Sequence, residues 1–240
     1  MNRRAAHSSA VVAGLVLGAA PGAAQTRHEF WPAAEAYVKL GARTRLYLLA
    51  AFTHAQEPEA ASGAQVYRDA QFGAHLDFTL KPIFRPKLRR RGDWERTRYA
   101  WVRVGYRYGT SIGEVQDPYR EHRGILEMTL RFPLPAGVSG VNRGRVDLRD
   151  VDGSTSTRFR YRLTLERETP VFGATIVPYV NAEFFYDSRF DDWTRQRYQA
   201  GVEVVLSDHW RIEPALVRQN DERAQPAHVN ALALSLKYYR

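Results

Sequence analysis

Ala70-Gln71-Phe72-Gly73-Ala74-His75-Leu76-Asp77-Phe78-Thr79-Leu80 alternates without a break, with apolar side chains at every even position and Gln71, Gly73, His75, Asp77 and Thr79 between them. Successive side chains of a β-strand point to opposite faces, so this segment has one apolar wall and one polar wall. A soluble sandwich also contains such strands, because its outer face is wet. What favours a membrane-spanning barrel is the number and length of similar segments and the leader that precedes them.

Residues 1–24 read as a secretory signal peptide: Arg3 and Arg4 are the basic region, Ala10 to Ala20 the apolar stretch, and Gly22-Ala23-Ala24 a small-residue cleavage site. The apolar run is shorter than the roughly 20 residues of a spanning helix. Cleavage leaves one domain, residues 25–240, with 33 basic and 26 acidic side chains and a net charge of +7. The absence of cysteine removes disulfides, thiolate metal sites, cysteine nucleophiles and a lipoprotein anchor together. A basic balance makes nucleic acid a formal partner. The leader and the spread of arginines over many segments argue against it. A mean hydropathy of −0.46 is compatible with a barrel, since only alternate residues face lipid.

Eleven segments fit the strand pattern: Ala33–Leu40, Arg43–Thr53, Val66–Leu80, Thr97–Gly109, Gly124–Phe132, Arg143–Asp150, Thr157–Glu168, Gly173–Asp187, Thr194–Leu206, Trp210–Gln219 and Ala227–Tyr239. Single-chain bacterial barrels have even strand numbers, which predicts about twelve (ten to twelve), with Thr26–Trp31 a candidate for the missing strand. In hydrocarbon every backbone donor and acceptor must be paired, so the sheet has to close. With the last strand ending in the periplasm, Gly41-Ala42, Glu168–Phe172 and Ser207-Asp208-His209 are periplasmic turns, and most longer connections fall outside. Lys81–Arg96, long and basic, is an exception on the periplasmic side.

Three stretches carry a family resemblance: Phe30-Trp31-Pro32 followed by Glu35-Ala36-Tyr37; RVDLRDVDGSTSTRFRYRLTLERE from Arg145 to Glu168; and YVNAEFFYDSRFDDWTRQRYQAGVEVVL from Tyr179 to Leu206, followed by VRQNDER from Val217 to Arg223. The chain resembles domain-of-unknown-function family 2490, usually filed with outer-membrane β-barrels. The resemblance implies fold, location in the outer membrane of a Gram-negative bacterium after export through the periplasm, and handling by the barrel assembly machinery. It assigns no activity. The ending Lys237-Tyr238-Tyr239-Arg240 departs from the terminal aromatic common in such barrels, although Leu232, Leu234, Leu236 and Tyr238 keep the alternation.

With the apolar positions toward lipid, the inward set is charged, mixed in sign and rich in arginine. An arginine facing lipid at the midplane would cost about 2–4 kcal/mol. The lumen-lining candidates are Arg103, Arg107, Arg145, Arg149, Arg158, Arg160, Arg162, Glu183, Arg195, Arg197 and Glu203. As a packed core, Arg160 and Arg162 would pair with Glu183 and Glu203; as a water path, surplus arginine would draw anions. Trp31, Trp94, Trp101, Trp193 and Trp210 suit interfacial girdles, Trp101 also suiting an inward position.

Catalysis would need a nucleophile, a base and an acid together. His75 and Asp77 share an inward face, with Ser235 on the final strand the nearest thing to a nucleophile, and no catalytic set is expected. Asp150-Val151-Asp152-Gly153 opens like a calcium loop without the rest of the ligand pattern, and Asp187, Asp191 and Asp192 read as loop acids. Neither a metal nor a cofactor is expected. The function predicted from these residues is a narrow, anion-leaning pore or small-solute transport barrel. A non-conducting envelope barrel is the alternative, and a lipid-modifying enzyme the third. Outer-membrane lipid, lipopolysaccharide and a small anionic solute are the expected partners.

Overall fold

The computed structural model describes residues 26–56, 65–80, 99–113, 118–223 and 227–240. These residues form twelve strands: β1 (Thr26–Lys39), β2 (Thr44–Gln56), β3 (Gln65–Thr79), β4 (Ala100–Ser111), β5 (Arg120–Pro133), β6 (Val138–Val151), β7 (Ser154–Arg167), β8 (Thr169–Val171), β9 (Ala174–Asp187), β10 (Asp192–Val205), β11 (Trp210–Asp221) and β12 (His228–Tyr239). Each of the eleven expected segments coincides with one of the long strands. Thr26–Trp31 is not a separate strand but the first half of β1.

Eleven strands form the ring, and the three residues of β8 pair with β9 alone. Neighbours are antiparallel except at the seam, where β1 runs parallel to β12 in the register Thr26↔His228 to Tyr37↔Tyr239. An odd number of up-and-down strands can close in no other way, because its first and last members point in the same direction. The seam continues past the strand ends, with Lys39 N–H donating to the Arg240 carbonyl at 2.7 Å and Arg240 N–H to the Tyr37 carbonyl at 2.9 Å. One circuit along the pairing leads from Leu40 through Thr44 and round the ring to Thr26, a stagger of fourteen residues. Such a stagger tilts the strands and winds the interior rows helically round the axis.

The outer face is apolar all round: Leu126 is 53 % and Leu216 68 % exposed, with Phe72, Leu148, Leu163, Leu165, Val180 and Leu232 beside them in the same band. A monomer in water rarely exposes so large a patch, whereas lipid requires one. Aromatic side chains flank the band. At one rim Tyr186 meets Trp193 and Phe159, and at the other Trp210 meets Tyr238 in a tilted contact at 4.9 Å. The first rim also carries a polar sector, where outward Arg218 donates to Asn220 and Asn230 at 3.0 Å, close to the strand ends rather than at mid-height.

The turn between β6 and β7 is Asp152-Gly153, both with positive φ (51° and 84°), the left-handed pair that a two-residue hairpin demands. Asp150 accepts the Gly153 N–H at 2.8 Å and Asp152 the Arg120 N–H at 3.0 Å, so these acids are turn-formers. The Lys81–Arg96 connection and residues 1–24 lie outside the described residues.

Candidate functional site

The interior of the barrel holds most of the charge. Across β3 to β10 the inward positions mix guanidinium and carboxylate groups, and four carboxylates, Asp77, Asp147, Glu183 and Asp187, are 0 % exposed. Each is held by at least two arginines. Asp77 lies between Arg45 and Arg103 on the flanking strands, the latter at 2.6 Å. Asp147 pairs with Arg145 and is 3.8 Å from Arg160. Asp187 takes Arg149 at 3.1 Å, Arg158 at 2.7 Å and Arg189 at 2.8 Å, so it is a clamped core acid rather than part of a loop cation site. Glu183 takes Arg143 and Arg162 at 2.7 Å and Arg160 at 2.8 Å. Removed from water, these charges persist because every one of the four carboxylates has charged donors around it, although Asp147 Oδ2 makes no hydrogen bond and has Arg160 only at 3.8 Å.

The arrangement differs in detail from simple neighbour pairing. Arg160 and Arg162 share Glu183, as the strand order suggests. Glu203 instead holds Lys237 at 2.9 Å and Arg211 at 3.1 Å. Arg195 pairs with Asp221. Arg143 and Arg149 on β6 reach past β7 to carboxylates on β9, which barrel curvature permits and a flat sheet would not. Among the described residues two inward arginines reach no carboxylate. Arg107 has only Gln71, at 3.4 Å, and Arg197 donates to Gln219 at 2.6 Å while lying 4.8 Å over Trp31 and 5.4 Å over Phe185. Trp31 is therefore an interior side chain, its indole N–H donating to Glu29, and not a girdle residue. Alternation with Glu29 and Ala33 carries that signal.

The opposite wall is apolar and small. Val217, Val229 and Ala231 pack together with Trp31 and Ala233 on β11, β12 and β1. Below them an aromatic ladder crosses the seam on the inner face. Tyr239 stacks on Tyr37 at 4.7 Å, Tyr37 on Tyr47 at 4.8 Å, and Tyr47 meets His75 at 5.2 Å. Arg211, Arg45 and Arg103 lie over the three tyrosine rings at 4.3, 4.3 and 3.9 Å. His75 sits between Gly73 and Gly105, where an added Cβ would come within 2.6 and 2.4 Å of the imidazole. Neither ring nitrogen has a hydrogen-bond partner, and Asp77 is taken by arginine, so these two residues do not form an acid–base pair.

Toward the rim where β1 and β12 end, the packing opens into a cavity of about 310 Å³. Arg143 and Arg162 form part of one wall; Glu35, Glu213 and Lys237 belong to the wall across from it. Glu35, Tyr37 and Lys237 were not among the candidates from sequence, although alternation places all three inward.

Residues 64–230 match the family model described as Protein of unknown function (DUF2490). The chain belongs to the DUF2490 family. No curated protein matches this DUF2490 member. Among solved structures it is similar to the beta domain of the Bordetella autotransporter Brka, with 16 % identity, TM-score 0.47 and coverage of 83 % of this chain and 82 % of that one. It is also similar to LpxR from Salmonella typhimurium, with 10 % identity, TM-score 0.49 and coverage of 81 % and 83 %. The siderophore receptor PirA from Pseudomonas aeruginosa matches over 77 % of this chain but 32 % of its own length, with 14 % identity and TM-score 0.27.

Proposed function

We propose that this DUF2490 member is an outer-membrane barrel closed at mid-height by its own ion pairs, with the rim bearing Tyr239 facing the periplasm. The observation that carries this reading is the complete shielding of Asp77, Asp147, Glu183 and Asp187 in a ring whose outer face is apolar. A conducting path wide enough for hydrated ions would leave some of these carboxylates wet. The arginines act as core: they neutralise the acids and fill the volume that eleven strands enclose.

The narrow anion-leaning pore is a second reading, favoured by Arg107 and Arg197, the two inward arginines that reach no carboxylate among the described residues. Anions drawn along them would still have to part the Glu183 cluster. Liposome swelling separates the two readings, on protein shown to remain in the membrane fraction after a urea wash. Vesicles carrying the closed barrel swell in small sugars no faster than empty vesicles. Rapid swelling would sink the closed reading, and release of the chain by urea would sink the membrane assignment.

A further inference from the structure

The cavity above the periplasmic rim has opposite charges left over on opposite walls. On β6 and β7, three guanidiniums share the single carboxylate of Glu183, and two of them, Arg143 and Arg162, also line the cavity. Arg143 has a further acid, Glu127, only at 3.7 Å, and Glu127 is itself shared with Arg103 and Arg145 at 3.9 and 4.0 Å. This wall therefore carries more positive charge than its carboxylates balance. Across the ring on β1, Glu35 lines the same cavity; it accepts the Tyr37 hydroxyl at 2.5 Å, and no basic side chain among the described residues lies within salt-bridge distance of it. Lys237, the nearby cation, is held by Glu203 and Glu213. In the eleven-strand ring β1 stands five steps from β7 in one direction and six in the other, so the two walls face each other across the bore.

A surplus of donors facing a lone acceptor carboxylate is the complement of a molecule with an anionic group at one end and an ammonium at the other. We propose that the cavity binds a small zwitterion, its carboxylate on Arg143 and Arg162 and its ammonium on Glu35. Guanidinium forks suit a carboxylate, and an ammonium brings three donors to the free oxygen positions of Glu35. A simple anion would meet repulsion from Glu35, and a simple cation repulsion from the arginines, so the cavity selects against either alone. The proposal concerns the periplasmic half of the interior and is independent of whether the barrel conducts.

The test is titration calorimetry on the whole refolded barrel in detergent, its folding checked by a heat-dependent gel shift. The probes are ω-amino acids from glycine to 6-aminohexanoate, with butanoate and butylammonium as singly charged controls. The best-fitting zwitterion should bind at least about tenfold tighter than either control, a difference of about 1.4 kcal/mol. Glu35→Gln should reduce that zwitterion to the level of butanoate while leaving butanoate no weaker. Arg162→Gln should weaken both, and Arg143→Lys should retain part of the affinity. If Glu35→Gln fails to fold, the ranking in the unaltered protein decides. Absence of saturable binding by every zwitterion, or equal binding of zwitterion and butanoate, would overturn the proposal.

Discussion

Across the bore from the guanidinium–carboxylate wall of β3 to β10 stands a wall of small apolar side chains, Val217, Val229, Ala231 and Ala233, on β11 and β12. The two walls are complementary in length as well as polarity. Where one presents alanine and valine, the other sends arginine across: Arg197 on β10 reaches over β11 and β12 to stack on Trp31 of β1. The difference teaches how an interior with few large hydrophobic residues can fill a ring of this size. Charge is concentrated where neighbouring strands supply both signs, and the parallel seam is lined by short side chains and closed by stacked tyrosines.

Breaking the charged wall should have the largest effect. Glu183→Ala leaves Arg143, Arg160 and Arg162 facing one another without their shared acid. Loss of one partner from a buried network costs about 3–5 kcal/mol. Urea unfolding of the barrel in lipid vesicles should show a loss of that order, and moderate salt should restore little of it because the cluster is shielded. A loss below about 1 kcal/mol would mean that the cluster is solvated.

Gly105→Ala sharpens the boundary between the charged wall and the aromatic ladder. The added methyl meets the His75 ring and the Ala74 carbonyl at 2.6 Å or less, and overpacking of this kind costs about 1–3 kcal/mol. Pairing it with His75→Ala should return only the part of the loss due to the imidazole, since the contact with the Ala74 carbonyl remains, measured by the same unfolding curve. If the pair is simply additive, the imidazole is not what fills the space.

On the apolar wall Val217→Ala removes two methyl-sized groups from a site 5 % exposed, worth about 1.5 kcal/mol at roughly 0.8 per group. This should be clearly smaller than the Glu183→Ala loss; equal losses would erase the distinction between the walls. The smallest change is expected at the seam. Tyr239→Leu keeps apolar area but removes one ring of the ladder, lowering stability by about 0.5–1.5 kcal/mol, the value of an aromatic pair beyond its area. It should also speed hydrogen exchange at the Lys39 and Arg240 amides more than at β5 or β6.

Much of this organisation is legible in the sequence because its physics is local. Period-two alternation marks all eleven long strands, and the same parity places the arginines of Arg158-Phe159-Arg160-Tyr161-Arg162 inward. The parallel seam is not legible, since it follows from the parity of the whole strand count and no residue of β1 or β12 signals it. The pairing of Arg143 and Arg149 with β9 is hidden for a related reason: it depends on curvature, which appears only when the ring closes. Trp31 was hidden by composition, because tryptophan near a strand end suits a lipid interface. Glu35 is legible as an inward position by alternation, but its solitary carboxylate is defined by where every other charge goes.

In a barrel closed by its own ion pairs, interior arginine is core rather than conduit. Single-channel recording of the refolded, membrane-inserted barrel in a planar bilayer under a salt gradient tests it most directly. A closed barrel gives silence from the unaltered protein and discrete steps from Glu183→Ala, in which the mid-height cluster is broken. Anion-selective steps from the unaltered protein would contradict it, and would make Arg107 and Arg197 the lining of an open path.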